Sequence, residues 1–259
     1  FVDSVTTDEF VAGSEKVPAR LAAKGVFSFA GENVADENRE LVEWMRAWNA
    51  RPSTTRKLRF HGLDMMGAST KGQPGNPHAR KAFDAALAYL DKVDAQSAKQ
   101  MRGRLEPALT RIATWSYDSL TSSQAENLTV ASADLVSLFE RRHVAWSQGT
   151  GTLAYQRAYR SALDARGIDA DFRAGGWWAA SQSRDMDQRD AELAGHLRWL
   201  LEREGRGGRV FVFAHALHLR KGPDPHALPI HRFTSMGQHL AELLGGDYVA
   251  ISGVDTESL

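Results

Sequence analysis

Arg209-Val-Phe-Val-Phe-Ala-His-Ala-Leu-His-Leu-Arg-Lys-Gly222 joins an apolar run to a pair of histidines. Val210 to Ala214 is short, rich in β-branched and aromatic residues, and preceded by Gly207 and Gly208. Such a run predicts a strand buried on both faces, as in the interior of a parallel sheet. It stops on His215, and His218 follows three residues later. In open α/β sheets, ligands bind beyond the carboxyl ends of the strands. Imidazoles there can move protons near neutral pH or ligate a metal.

Outward from this run, helix and strand signals alternate. Leu193, Leu197, Leu200 and Leu201 share one face of a helix that Gly205 and Gly207 should end. Met236 to Leu244 reads as a short helix closed by Gly245-Gly246, and Asp247 to Ile251 as a last strand. Residues 223–234, with three prolines plus His226 and His231, read as a lid-like loop. Near the start, Leu41, Trp44, Met45 and Trp48 fall at helical spacing behind Asp36, a candidate N-cap. Lys57 to Gly62 alternates and predicts a strand, with Asp64 just past its end.

Between these parts lies a stretch with four helical apolar faces. They are Phe83/Ala86/Leu87/Leu90, Leu105/Leu109/Ile112/Ala113, Leu128/Ala131/Leu135/Leu138/Phe139 and Tyr155/Tyr159/Ala162/Leu163. The expected architecture is therefore α/β, a mostly parallel sheet with flanking helices and a large helical insertion. Residues 1–77 form the first part of the α/β domain, 78–166 the helical block and 167–259 the second part. The aromatic connector Gly175-Gly176-Trp177-Trp178 is expected to be packed down, either as core or as the wall of a pocket.

Composition narrows the chemistry. Thirty-two Lys+Arg balance 32 Asp+Glu in 259 residues, which gives no global pull toward nucleic acid or an anionic membrane. The absence of cysteine removes disulfides, thiolate nucleophiles and Cys-based zinc sites. No run reaches the roughly 18 apolar residues of a membrane helix. A cytoplasmic location is expected, or an exported one if a signal precedes Phe1. Walker, Gly-x-Gly-x-x-Gly and Gly-x-Ser-x-Gly patterns are missing, so kinase, Rossmann and serine-hydrolase chemistry are demoted.

The candidate site residues are His215 and His218 as catalytic groups, with Arg189, Asp190 and Asp64 contacting substrate. The histidine spacing is not the His-Glu-x-x-His of zinc proteases. Both can equally be loop histidines, one of them capping a backbone carbonyl. Arg189 can hold a substrate oxygen or form a surface ion pair with its neighbour. Asp64 can orient an imidazole or cap a turn.

Two sets of residues together resemble the erythromycin esterase family. One is Trp44-Met-Arg-Ala-Trp48-Asn49 followed by Leu58-Arg-Phe60-His-Gly62-Leu-Asp64-Met65. The other is Arg189-Asp190 to Leu201, Val210 to His218, and Met236-Gly237 through Ile251. The likeness is strongest over 36–67 and 187–251. It implies an α/β fold with a helical insertion and hydrolysis of carboxylic esters, including macrolide lactones and hence antibiotic resistance in bacteria. A histidine oriented by carboxylates would activate water, and His215, His218, Arg189, Asp190 and Asp64 match family positions near the cleft.

The chain also departs from the family pattern. The Gly-Glu-x-x-His-Gly strand end and the glutamate-ended strand after it are not in this sequence, and Phe1-Val2-Asp3 reads as chain just beyond them. Ala216 and His196 stand where asparagines are usual, and Phe27-Ser28-Phe29 replaces a Trp-x-Trp region. The expected function is an erythromycin-esterase-type hydrolase, with a non-hydrolytic ligand-binding member of the same fold as the alternative. The partner is a small-molecule ester, with no nucleic acid or membrane. No cofactor or metal is expected, although His215 and His218 with an acidic residue have the donor types to hold an ion. The oligomeric state is open.

Overall fold

The computed structural model describes residues 2–26, 36–64, 77–114, 117–173, 186–223 and 233–251, in two compact units, Phe1–Asp64 and Met65–Leu259. The first unit is built from helices α1 (Val2–Val11), α2 (Ala19–Ala23) and α3 (Asp36–Ala50). Phe10, Val11, Val17, Ala22, Ala23, Val42 and Met45 form its buried core, with Leu58 and Phe60 packed against it. The buried stripe of α3 is Val42 and Met45, whereas Leu41 and Trp44 of the expected face are exposed. Polar bonds to the backbone hold this small core together. Arg46 of α3 donates to the carbonyls of Phe10, Gly13 and Ser14, capping the end of α1.

In the second unit, α4 (Lys81–Val93), α5 (Ala95–Thr114), α6 (Ser122–Thr150) and α7 (Thr152–Arg173) make a helical block. The four apolar faces read from the sequence supply its core except for half-buried Ala113, Tyr159 and Leu163, and Phe83, Leu87, Leu90, Leu105, Leu109, Leu128, Leu135 and Phe139 are fully enclosed. Tyr89, Phe139, Trp146 and Tyr155 interlock there, with ring centroids 5.4–6.5 Å apart. Helix α6 starts on a capping box between Thr121 and Gln124, and α7 runs through Gly167 to Arg173. Helix α8 (Met186–Glu204) packs on α7 and buries Leu193, Leu197 and Leu200. It ends where Gly205 and Gly207 take φ of +69° and +76°. Short α9 (Ala216–Leu219) and α10 (Met236–Leu244) complete the unit.

The expected α/β sheet is overturned: the chain is mainly helical, and among the described residues there is no strand. Segments 57–62, 210–214 and 248–251 are irregular instead, and Asp247 ends the 3-10 turn Gly245–Asp247. The reason is visible around Leu58, whose N–H donates to Asn49 Oδ1 at 2.7 Å while its carbonyl accepts from Asn49 Nδ2 at 2.9 Å. The Phe60 N–H donates to Asp8 Oδ1 at 3.1 Å. Side chains of α1 and α3 thus take the hydrogen bonds a neighbouring strand would have taken. In 210–214 the expected two-sided burial is also absent, because Phe211 and Phe213 are 87% and 85% exposed. The connector 175–178, the 27–29 aromatics and His226 and His231 lie outside the described residues. No helix among the described residues is long and apolar enough to cross a membrane.

Asp8 gives the first unit a pH-dependent joint. Burial pushes its carboxyl upward. Hydrogen bonds and charge from Arg59, the Phe60 N–H and the charge of His61 more than reverse this, so it titrates below the ordinary aspartate range. A depressed folded-state pKa stabilises above the unfolded pKa, and that stability is lost as pH falls through the folded one. The unit should therefore lose stability progressively below about pH 5. Asp8→Asn should cost about 3 kcal/mol near neutral pH, the low end for a buried pair because Arg59 is partly solvated. It should also flatten the acid limb in urea unfolding followed from pH 7 to 3. An unchanged acid limb would remove Asp8 as its source.

Candidate functional site

The second unit brings the two histidines onto one turn of chain. His215 is the N-cap of α9: its backbone is extended (φ −63°, ψ 142°), and its Nδ1 accepts from the Leu217 N–H at 3.2 Å. An imidazole that accepts at Nδ1 carries its neutral-state proton on Nε2. His215 is exposed, so it presents a donor to solvent. His215 caps a backbone N–H rather than the expected carbonyl, and the cap itself sets which nitrogen is free.

His218 sits in the opposite state. Its Nδ1 lies 2.9 Å from both oxygens of Asp190, and its ring is mostly covered, with 15% of the side chain exposed. Asp190 Oδ1 also accepts from the Met236 N–H at 2.7 Å. The backbone N–H can only donate, and the bifurcated approach of Nδ1 is that of a ring N–H donating to a carboxylate. Nε2 is then the basic nitrogen of neutral His218. Two residues one turn apart thus hold opposite tautomers, a donor at 215 and an acceptor at 218.

Local sequence explains the arrangement. Asp190 lies in the opening turns of α8, on the side where Leu193 and Leu197 mark the buried face, and it is 0% exposed. Ser235-Met-Gly-Gln238 forms a capping box that starts α10 and aims the Met236 N–H at Asp190. Asp187, one turn before Asp190, accepts from the Thr234 N–H. Phe233 closes one side of His218, with ring centroids 5.8 Å apart. On the other side of α8, Glu192 is half-buried within 3.8 Å of Arg160, which pairs with Asp164 at 2.7 Å. Burial pushes the Glu192 carboxyl upward, and the Asp164 charge adds to this against the charges of Arg160 and Arg166.

Of the candidates named from sequence, His218 and Asp190 are in direct contact, and His215 is on the same short helix. Arg189 adjoins Asp190 on α8 and is half-buried. Asp64 is exposed and belongs to the first unit. Phe233 and Ser235 were not singled out beforehand, and Met236 and Gly237 were read only as helix and family-pattern residues. The Ser-x-x-Gln spacing was their available signal. Among the described residues no group of three His, Asp or Glu side chains is placed to share a metal ion. A cleft of about 270 Å³ lined by Gly103, Arg104, Pro107, Ala108, Gln124 and Asn127 lies between α5 and α6 and includes none of the site residues.

Three solved structures resemble the chain. A succinoglycan biosynthesis protein is 20% identical (TM-score 0.60), covering 96% of this chain and 54% of its own. A protein from Bacillus cereus is 17% identical (TM-score 0.68), covering 95% of this chain and 54% of its own. A mutant of the erythromycin esterase EreC in its open conformation is also 17% identical (TM-score 0.67), covering 95% and 58%. The chain thus spans little more than half the length of these relatives, and at such identities the likeness is one of fold. A search of curated proteins finds no match. The erythromycin esterase family model matches residues 2–258, and the chain belongs to the erythromycin esterase family.

Proposed function

We propose that this chain carries an acid–base centre of an ester hydrolase, with His218 held by Asp190 as its proton-transfer group. The observation that carries the reading is the Asp190–His218 contact. A buried carboxylate fixes ring orientation and tautomer, and it stabilises the imidazolium that forms when Nε2 accepts a proton. In the proposed reaction water attacks the ester carbonyl carbon and gives up a proton to His218 Nε2. The tetrahedral oxyanion accepts a hydrogen bond from His215 Nε2, and Arg189 steadies its charge. The carbon–alkoxide bond then breaks, the proton passes from His218 to the departing oxygen, and a carboxylic acid and an alcohol are released. Asp190 is given the orienting role because it has no exposed surface to offer a substrate. Membership in the erythromycin esterase family and the likeness to EreC support an ester, with a macrolide lactone as the first substrate to try.

Two expected outcomes follow. Incubating the protein with erythromycin and with aryl esters, with and without chelator, should give hydrolysed product by mass spectrometry. His215→Ala should lower turnover by about 10²–10⁴-fold without unfolding the protein. Saturable binding without any product would instead favour a ligand-binding role.

Asp190→Asn can keep the Met236 bond through its carbonyl oxygen but turns an N–H₂ toward His218 Nδ1. It should therefore move the neutral-state proton of His218 to Nε2 and lower kcat by roughly 10³–10⁴-fold, as for other orienting aspartates. Two-dimensional ¹⁵N NMR of the imidazole nitrogens reads the tautomer directly. A spectrum identical to wild type would show that Asp190 does not set it.

A further inference from the structure

The chain immediately after His218 is gripped at two consecutive carbonyls. The Tyr248 hydroxyl donates to Leu219 O at 2.6 Å, and the Ser235 hydroxyl donates to Arg220 O at 2.9 Å. Between them α10 comes in without a side chain. A Cβ at Gly237 would stand 2.4 Å from both the carbon and oxygen of Leu219 and 2.5 Å from Arg220 O, all backbone atoms with no freedom to give way. The Arg220 guanidinium, 5.0 Å over the Phe233 ring, donates to Phe233 O at 2.6 Å, tying the same turn to the residue that faces the His218 ring. Burial pushes the Tyr248 hydroxyl pKa up, in keeping with its role as a donor. The helix that supplies the Met236 N–H to Asp190 is thus the same one whose Gly237 and Ser235 press on the backbone of the histidine turn.

We infer that Tyr248, Ser235 and Gly237 are positioning residues for the histidine site, clamping the Leu219 and Arg220 carbonyls so that His218 Nδ1 stays centred between the two Asp190 oxygens. The inference rests on the hydrolytic reading only for its kinetic consequence, and the clamp itself is a property of the His218–Asp190 geometry. Tyr248 contributes a single atom that can be removed with little else changed, whereas Ser235 also caps α10 and is read through the Ser235→Thr control. Tyr248→Phe deletes one hydroxyl and keeps the ring under Lys221. Ser235→Ala removes the bond to Arg220 O, and Ser235→Thr restores it. Gly237→Ala inserts the clashing carbon.

The experiment combines imidazole ¹⁵N and low-field ¹H NMR of the whole protein with ester kinetics. Wild type and Ser235→Thr should show a hydrogen-bonded Nδ1–H on His218. Tyr248→Phe and Ser235→Ala should shift or broaden that signal, lower the melting temperature by only about 2–4 °C, and reduce kcat by roughly 10–100-fold with KM nearly unchanged. Gly237→Ala should abolish the signal. If Tyr248→Phe and Ser235→Ala show the same small loss of stability but a wild-type His218 signal, the residues only hold the fold and the inference is overturned. If the signal responds while even wild type turns over no ester, the clamp stands and the hydrolytic reading falls instead.

Discussion

A carboxylate with no exposed surface, Asp190, is the constraint around which the second unit's functional end is arranged. Burying such a group costs several kcal/mol unless donors replace the water it loses. Here the donors come from two other elements, the Met236 N–H at the start of α10 and the His218 ring on α9. Removing either element would leave the buried acid short of a donor, so α8, α9 and α10 are linked by one acid. The start of α10 also places the positive end of a helix against that acid, which favours its negative charge. Apolar packing alone would tolerate small rotations of α9. Two bonds to one buried carboxylate tolerate few, and this is what turns a surface histidine into a directed one.

The tautomers follow from the same logic at lower cost. A four-residue helix has too few internal bonds to be stable by itself, so α9 needs an N-cap and a tie at its far end. His215 supplies the first with its own Nδ1, and the Tyr248 hydroxyl supplies the second. Structural need therefore consumes one nitrogen of each histidine, leaving Nε2–H on one and a bare Nε2 on the other. The chemistry proposed for the pair uses only the nitrogens that the fold does not.

Much of this was legible in the sequence and some was not, for separable reasons. The helical block was readable because its faces repeat at helical spacing over long windows, as Phe83 to Leu90 and Leu128 to Phe139 show. The nearness of the two histidines was readable from their spacing at the end of an apolar run. Strands were misread because a short apolar run reports only that a segment is hydrophobic, and says nothing about whether a neighbour offers a ladder. For Leu58 the partner is an asparagine side chain on α3, and for Phe60 an aspartate on α1, 52 residues away in sequence. No local pattern encodes a pairing of that kind. The exposed Trp44 likewise obeyed the helical period yet turned outward, because Val42 and Met45 were nearer the small core.

The burial of Asp190 was hidden for a related reason. Beside Arg189 it looks like half of a surface ion pair, and only the depth of its side chain distinguishes an orienting acid from a solvated one. Depth depends on which side of α8 meets the rest of the unit. Leu193 and Leu197 do mark that side, and Asp190 stands three residues before Leu193, on the same stripe. An acid on an apolar stripe either destabilises the helix's packing or has a dedicated partner. Read that way, its burial was deducible. The identity of the partner was not, because it depends on α10 approaching so closely that position 237 can be nothing but glycine.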